Sequence, residues 1–199
     1  MKKVLFTVGF LALLLLSACS TVNSGYQTIY DGEVASYVQS KYPLYDVVSS
    51  TVDSSNYSEI YSAEGRSLDE VASEIEGVKT PVQVSEENEN RKALVYNDMF
   101  VILSQDEENS SNTLIEVANK EFVRNNFNPS FFQGMLLMTI LDDVLDVDDW
   151  GKNRKISCNS NPERCYGGYS TSGGSFKGYK NTPSVRGTTV RGGGPGAGK

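Results

Sequence analysis

The spacing of hydrophobic positions predicts two amphipathic helices in the first half of the chain. The first helix is predicted over Asp31 to Tyr42, with Asp31 as its N-cap, because Val34 and Val38 recur on one face and Pro43 ends the pattern. The second is predicted to begin with the capping box Ser67-Leu68-Asp69-Glu70 and to end at Gly77, which closes its apolar stripe.

Segments rich in Tyr, Val, Ile and Thr predict β-strands around the second helix. These segments are residues 44–52, 56–62, 82–84, 92–96, 99–104 and 114–117. Helices at the ends of a run of strands, rather than after each strand, are typical of an α+β fold. We therefore expect an antiparallel sheet of about five strands packed with helices.

The most apolar stretch of the chain follows the last predicted strand. Asn128-Pro129 gives a cap followed by proline, and Phe131 to Val147 is apolar nearly all the way round a helix. Such a helix is usually the central element of a core. The alternative is a docking helix for a membrane or a partner. A protein partner is favoured over a bare membrane, because the aspartates of this stretch would face an anionic surface.

Charge divides the chain near Trp150 and defines the predicted domains. Cys19 to Trp150 contains 24 acidic and 7 basic residues, a net charge of −17, whereas Gly151 to Lys199 contains 1 acidic and 9 basic residues, a net charge of +8. The second part has few aliphatic side chains to offset the entropy of ordering it. The predicted organisation is a leader (1–18), a tether (19–30), an α+β domain (31–150) and a disordered basic tail (151–199).

The first 20 residues have the pattern of a bacterial lipoprotein signal. Lys2 and Lys3 precede an apolar run that ends in Leu16-Ser17-Ala18-Cys19, so small residues stand before a cysteine. Cleavage after Ala18 and lipidation of Cys19 would anchor the chain to the outer face of the cell membrane. A retained membrane-spanning anchor is the alternative, but about 13 apolar residues fall short of the roughly 20 required.

The other two cysteines, Cys158 and Cys165, predict a local disulfide in an oxidising compartment. We expect their short ring to lie outside the core and to affect domain stability little. A zinc site is the competing interpretation, but it lacks further ligands because the chain contains no histidine. The same absence excludes Ser-His-Asp and Cys-His catalysis. We predict no metal site, and the catalytic residues are unknown.

Two motif-like strings do not support a cofactor. Gly193 to Lys199 follows the G-x-x-x-x-G-K pattern but lacks the Ser or Thr of a P-loop. The acidic stretch from Asp146 has Ser157 where an EF-hand needs a carboxylate. The Arg-Gly repeats of the tail are similar to nucleic-acid-binding segments. We expect no nucleic-acid partner, because the predicted location is outside the cytoplasm.

Several of these features together resemble an uncharacterised family of Gram-positive lipoproteins, a DUF4247-like domain of unknown function. Four features carry the resemblance: the lipobox Leu16-Ser17-Ala18-Cys19, the order of helices and strands, the segment Leu114 to Asn126 before the apolar helix, and the terminal residues from Arg191 to Lys199. It implies an envelope-associated process, and it transfers no catalytic residue.

Two functions are compatible with the sequence. The favoured one is a non-catalytic interaction or accessory module of the cell envelope, with an envelope protein or an anionic wall polymer as partner. The alternative is a hydrolase that acts on envelope carbohydrate through paired carboxyl groups. The many acidic residues make paired carboxylates uninformative by themselves, so a concave pocket with two buried carboxyl groups is the feature that would support the hydrolase.

Overall fold

The computed structural model describes residues 32–172, in which helices flank a run of strands. The first part of the fold contains α1 (Glu33–Lys41), β1 (Leu44–Ser49), β2 (Tyr57–Ala63), α2 (Leu68–Val78), β3 (Gln83–Val84), β4 (Arg91–Val95), β5 (Met99–Gln105) and β6 (Thr113–Asn119). The second part contains α3 (Lys120–Asn126), α4 (Ser130–Gln133), α5 (Met138–Leu145), α6 (Trp150–Ser160), a 3-10 turn (Pro162–Arg164) and α7 (Tyr169–Ser172). The predicted leader (1–18), the tether (19–30) and residues 173–199 of the predicted tail lie outside the described residues.

The strands form one six-stranded sheet in the order β1-β2-β6-β5-β4-β3, and all neighbours are antiparallel. Strand β5 is buried along almost its whole length because helices cover both faces of the sheet. Phe100 and Ile102 contribute to one core, whereas Val101 and Leu103 contribute to the other. The predicted α+β fold with an antiparallel sheet is confirmed.

We name the two faces by the helices that cover them. The N-terminal face is covered by α1 and α2, and the C-terminal face is covered by the elements that follow β6. Helix α2 begins as predicted, because the Ser67 side chain accepts from the Glu70 amide and the Glu70 side chain accepts from the Ser67 amide. Helix α1 begins one residue later than predicted, with Gly32 as its N-cap.

The apolar stretch Phe131 to Val147 is not the single helix that its composition predicts. It forms α4 and α5, which are separated by Gly134 and by Leu136, a residue with a φ of 55°. A straight helix would direct part of this apolar surface away from the sheet. The break instead buries Met135 and Leu137 in the core and leaves Leu136 72% exposed.

The predicted domain boundary at Trp150 is also wrong. Helix α6 and the residues after it belong to the folded unit, since Cys158, Tyr166 and Tyr169 are all buried. The reason is that two tyrosines and a disulfide supply the buried surface for which the prediction required aliphatic side chains. Arg154 reinforces this end by donating hydrogen bonds to the carbonyl oxygens of Phe127 and Arg164, at 3.0 and 2.8 Å.

Within residues 32–172, no helix has the length and apolar character needed to cross a bilayer.

Candidate functional site

Two buried carboxyl groups lie in one row across three strands on the C-terminal face. The register pairs Asp46 of β1 with Ile60 of β2, and Ile60 with Glu116 of β6. Strands lie about 4.8 Å apart, so the Cα atoms of Asp46 and Glu116 are roughly 10 Å apart. Asp46 is only 3% exposed and Glu116 only 2%, so both carboxyl groups are buried among apolar core residues.

The Glu116 carboxylate is surrounded by donors from β2 and from the end of the described chain. The Ser58 hydroxyl donates to Oε1 at 2.7 Å, and the Tyr169 amide donates to Oε2 at 3.1 Å. The Tyr166 hydroxyl interacts with the same carboxylate, and the Tyr166 side chain is fully buried against Phe122 and Phe127. Each carboxylate oxygen is therefore engaged by the protein itself, as buried polar groups require.

Tyr169 also reaches the second carboxyl group of the row. Its hydroxyl donates to Oδ2 of Asp46 at 2.9 Å, and the Val47 amide donates to Oδ1 at 2.8 Å. The Tyr169 ring meets the Tyr45 ring edge to face, with the centroids 6.1 Å apart. One residue thus bridges β1 and β6, and we call Asp46, Ser58, Glu116, Tyr166 and Tyr169 the carboxyl–tyrosine cluster.

Burial dominates the electrostatics of this cluster. It raises the pKa of Glu116 to about 7, although the donors Ser58, Tyr169 and Tyr166 lower it. Burial and the adjacent Glu116 charge also hold the pKa of Tyr166 well above its ordinary value. Glu116 can therefore gain or lose a proton near neutral pH, in a place that solvent barely reaches.

The segment that covers the cluster is attached to the rest of the domain through its first two residues. We call residues 165–172 the C-terminal strap. The structure joins Cys158 of α6 to Cys165, the first strap residue, in a disulfide with an S–S distance of 2.04 Å. The Tyr166 amide then donates to the Asn126 carbonyl oxygen at 2.8 Å. Most of this ring lies outside the core, since residues 159–164 are exposed and Cys165 is half-buried; Cys158 is the one buried residue of the ring.

A second carboxyl site joins the two helices of the N-terminal face. The Glu74 carboxylate of α2 accepts hydrogen bonds from Tyr42 at 2.7 Å and from Arg66 at 2.8 Å, and it also contacts Lys41 and Tyr37. Desolvation raises the pKa of Glu74, but these donors outweigh it and bring the pKa to about 2. This arrangement holds a permanent negative charge and stabilises the packing of α1 on α2.

A third carboxyl group, Glu59, lies on β2 and is buried on the N-terminal face. Its Oε2 accepts from the Tyr61 hydroxyl at 2.8 Å, and burial raises its pKa. Because β2 alternates its side chains between faces, Glu59 lies on the opposite side of the sheet from Ser58 and Glu116. It provides a buried carboxyl group for comparison with the cluster.

The structure places some of the sequence-predicted site residues and leaves others out. Cys158 and Cys165 are brought together, whereas the lipidation residue Cys19 lies outside the described residues. In the part of the chain that the structure describes, no group of three or more His, Cys, Asp or Glu side chains could hold a metal ion.

Sequence reasoning missed the carboxyl–tyrosine cluster. One signal for it is present: Glu116 is the single charged residue of β6 (Thr113–Asn119), and it stands between the apolar pairs Leu114-Ile115 and Val117-Ala118. An acidic side chain at such a position must find donors or protonate. No comparable local signal marks Tyr166 and Tyr169, which lie among glycines.

Comparison with known proteins identifies a family. The model of a family described as a domain of unknown function, DUF4247, matches residues 12–199. Neither the curated proteins nor the solved structures give a match.

Proposed function

We propose that this chain, which belongs to the DUF4247 family of unknown function, is a lipid-anchored accessory module of a Gram-positive cell envelope. Cys19 carries the lipid, and the domain formed by residues 32–172 works at the outer face of the membrane. Its role is to bind envelope components without catalysing a reaction.

The closed carboxyl–tyrosine cluster is the observation that most supports a non-catalytic role. Glu116 and Asp46 are two buried carboxyl groups on the same face of the sheet, as a general acid and a general base would have to be. Both are already bound by Tyr169 and are covered by the strap. A substrate would have to displace Tyr169 before it could reach either group.

The charge distribution supports an anionic wall polymer as one partner. Residues 32–172 contain 24 acidic and 11 basic side chains, whereas residues 173–199 contain five basic side chains and no acidic one. Basic residues near an anionic surface contribute on the order of 1 kcal/mol each, and salt weakens this attraction. The C-terminal residues are therefore the part of the chain suited to such a polymer.

The anchoring part of the proposal is tested by replacing the lipidated cysteine. In a Gram-positive host, Cys19→Ala should leave an uncleaved precursor or release the protein to the medium, because no thiol remains to accept the lipid. Ser20→Ala, which changes the next residue and keeps the cysteine, is the matched control and should remain membrane-bound. Normal processing and full membrane retention of Cys19→Ala would contradict the proposal.

A second experiment separates the module from the hydrolase. Glu116, whose pKa is raised to about 7 by burial, has the property of a general acid, and this observation favours the hydrolase as the second candidate. The protein is incubated with purified cell walls, and retention on the wall and release of soluble sugar are measured together. The module predicts retention that falls with added salt and no sugar release. Sugar release that disappears in Glu116→Gln would establish the hydrolase instead.

A further inference from the structure

The C-terminal strap has two parts with different attachments. Its first part is fastened by the Cys158–Cys165 disulfide and by Tyr166, which is 0% exposed. The second part, residues 167–172, is held by the contacts of Tyr169 and by the Thr171 hydroxyl, which accepts from the Arg91 guanidinium at 3.1 Å. The first part can therefore remain in place while the second part moves.

A glycine pair joins these two parts. Gly168 has a φ of 86°, and a Cβ atom there would lie 2.5 Å from the Phe131 ring. Glycine is suited to this position because it adopts positive φ without a steric penalty and has more conformational freedom than other residues. Gly167 and Gly168 thus give the chain a natural pivot between Tyr166 and Tyr169.

The contacts of Tyr169 determine what movement about this pivot would do. The Tyr169 amide and hydroxyl bind Glu116 and Asp46, which are both almost fully buried. If Tyr169 leaves, each carboxyl group loses one donor and gains access to water. Opening therefore changes the solvation of two acidic groups at once.

We propose that residues 167–172 form a latch that is closed over Asp46 and Glu116 at acidic pH and that opens more frequently as the pH rises through neutrality. The physical reason is that water solvates an ionised Glu116 better than the closed cluster does. An ionised Glu116 therefore favours the open state, and a protonated Glu116 favours the closed state.

The groups around Glu116 are consistent with a closed state that disfavours its ionised form. Ser58 faces it from β2, Tyr166 and Tyr169 face it from the strap, and Asp46 stands in the same row on β1. From β5, its register partner is the apolar Ile102. None of the hydrogen bonds or ion pairs found in residues 32–172 brings a Lys or Arg side chain to Glu116, so none of them supplies a cation that would favour its ionised form.

The size of the effect follows from linkage. Burial raises the pKa of Glu116 from 4.5 to about 7 in the closed state. If opening restores the ordinary pKa, the open-to-closed ratio increases by up to about 70-fold between pH 5 and pH 8.5.

The Tyr169 amide is a direct reporter, because it donates to Glu116 only while the latch is closed. Its hydrogen exchange is measured by NMR in the full-length protein in detergent, corrected for the intrinsic pH dependence and compared with amides of β5. We expect protection of Tyr169 to fall by up to about 70-fold from pH 5 to pH 8.5, relative to β5. Protection that stays constant over this range would overturn the proposal.

Two carboxyl variants assign the effect to the cluster. Glu116→Gln cannot ionise, so it should remove the pH dependence of Tyr169 protection. Glu59→Gln neutralises the buried carboxyl group of the opposite face and should leave the pH dependence in place. A fall that persists in Glu116→Gln, or one that disappears in Glu59→Gln, would refute the latch.

A third variant is available if Glu116→Gln does not fold. Tyr169→Phe removes the hydrogen bond to Asp46 but keeps the amide that binds Glu116. It should lower the protection of the backbone amide at position 169 at every pH and retain the pH dependence. Unchanged protection at every pH in this variant would show that Tyr169 does not fasten the latch.

Discussion

Truncation after Trp150 is the sharpest test of where the folded unit ends. The shortened chain lacks α6 beyond its first residue, the disulfide and the entire C-terminal strap. Composition alone predicts that this chain still folds, whereas the structure predicts that it does not. The matched control is a chain that ends after Ser172, which retains every described core residue.

The expected loss in the free energy of unfolding follows from the aromatic side chains that the truncation removes. Tyr166 is 0% exposed and packs edge to face on Phe122 and Phe127, and Tyr169 is 7% exposed. Loss of a large aromatic side chain from a core costs about 3 to 5 kcal/mol, so the two tyrosines contribute about 6 to 10 kcal/mol. The whole free energy of unfolding of a domain is typically about 5 to 15 kcal/mol.

Thermal unfolding followed by circular dichroism, together with amide chemical-shift dispersion, distinguishes these outcomes. The chain that ends after Trp150 should show no cooperative transition and poor dispersion, because Phe122, Phe127 and Glu116 lose their cover. The chain that ends after Ser172 should unfold cooperatively. A cooperative transition of similar midpoint in both chains would refute the burial argument and restore the boundary at Trp150.

Two further predictions concern acid stability and the disulfide. The pKa of Glu74 is lowered from 4.5 to about 2, so its contribution to stability is present above pH 4.5 and is lost as the pH falls toward 2. Glu74→Gln should lower the free energy of unfolding at pH 7 by about 1 to 3 kcal/mol and reduce its decline under acid, as measured by urea titration, whereas the exposed control Glu33→Gln should change little. Mass spectrometry without reductant should show two hydrogens lost at Cys158 and Cys165, and two freely alkylated thiols would contradict the bond. Replacing both cysteines with Ala should lower the free energy of unfolding by about 2 to 3 kcal/mol, which denaturant titration would detect.

Much of the local structure can be predicted from neighbouring residues. The capping box at Ser67 specifies where α2 begins, because its side chains satisfy the amides of the first turn. The apolar strand segments predict the β-rich middle of the chain, and Pro43 ends α1 as expected. These features depend on residues within about one turn or strand of each other.

The parts that were predicted incorrectly depend on distant residues. Phe131 to Val147 is helical in composition, but the need to bury its side chains on one sheet face breaks it at Gly134 and Leu136. The residues after Trp150 are too polar on average to predict a core. A few aromatic side chains nevertheless pack in the same core as α3 and α4, which come much earlier in the chain.

The class of fold, the capping box that begins α2 and the pair of cysteines available to join can be predicted from the sequence, because they follow from local pattern and composition. The pairing of β6 with β2, which places Glu116 in the same row as Asp46, is a property of the three-dimensional fold. So is the position of Tyr169, which lies 53 positions after Glu116 and 123 after Asp46 and covers both groups. Strand order and burial arise from contacts between residues far apart in the chain, and no local pattern records which segments meet.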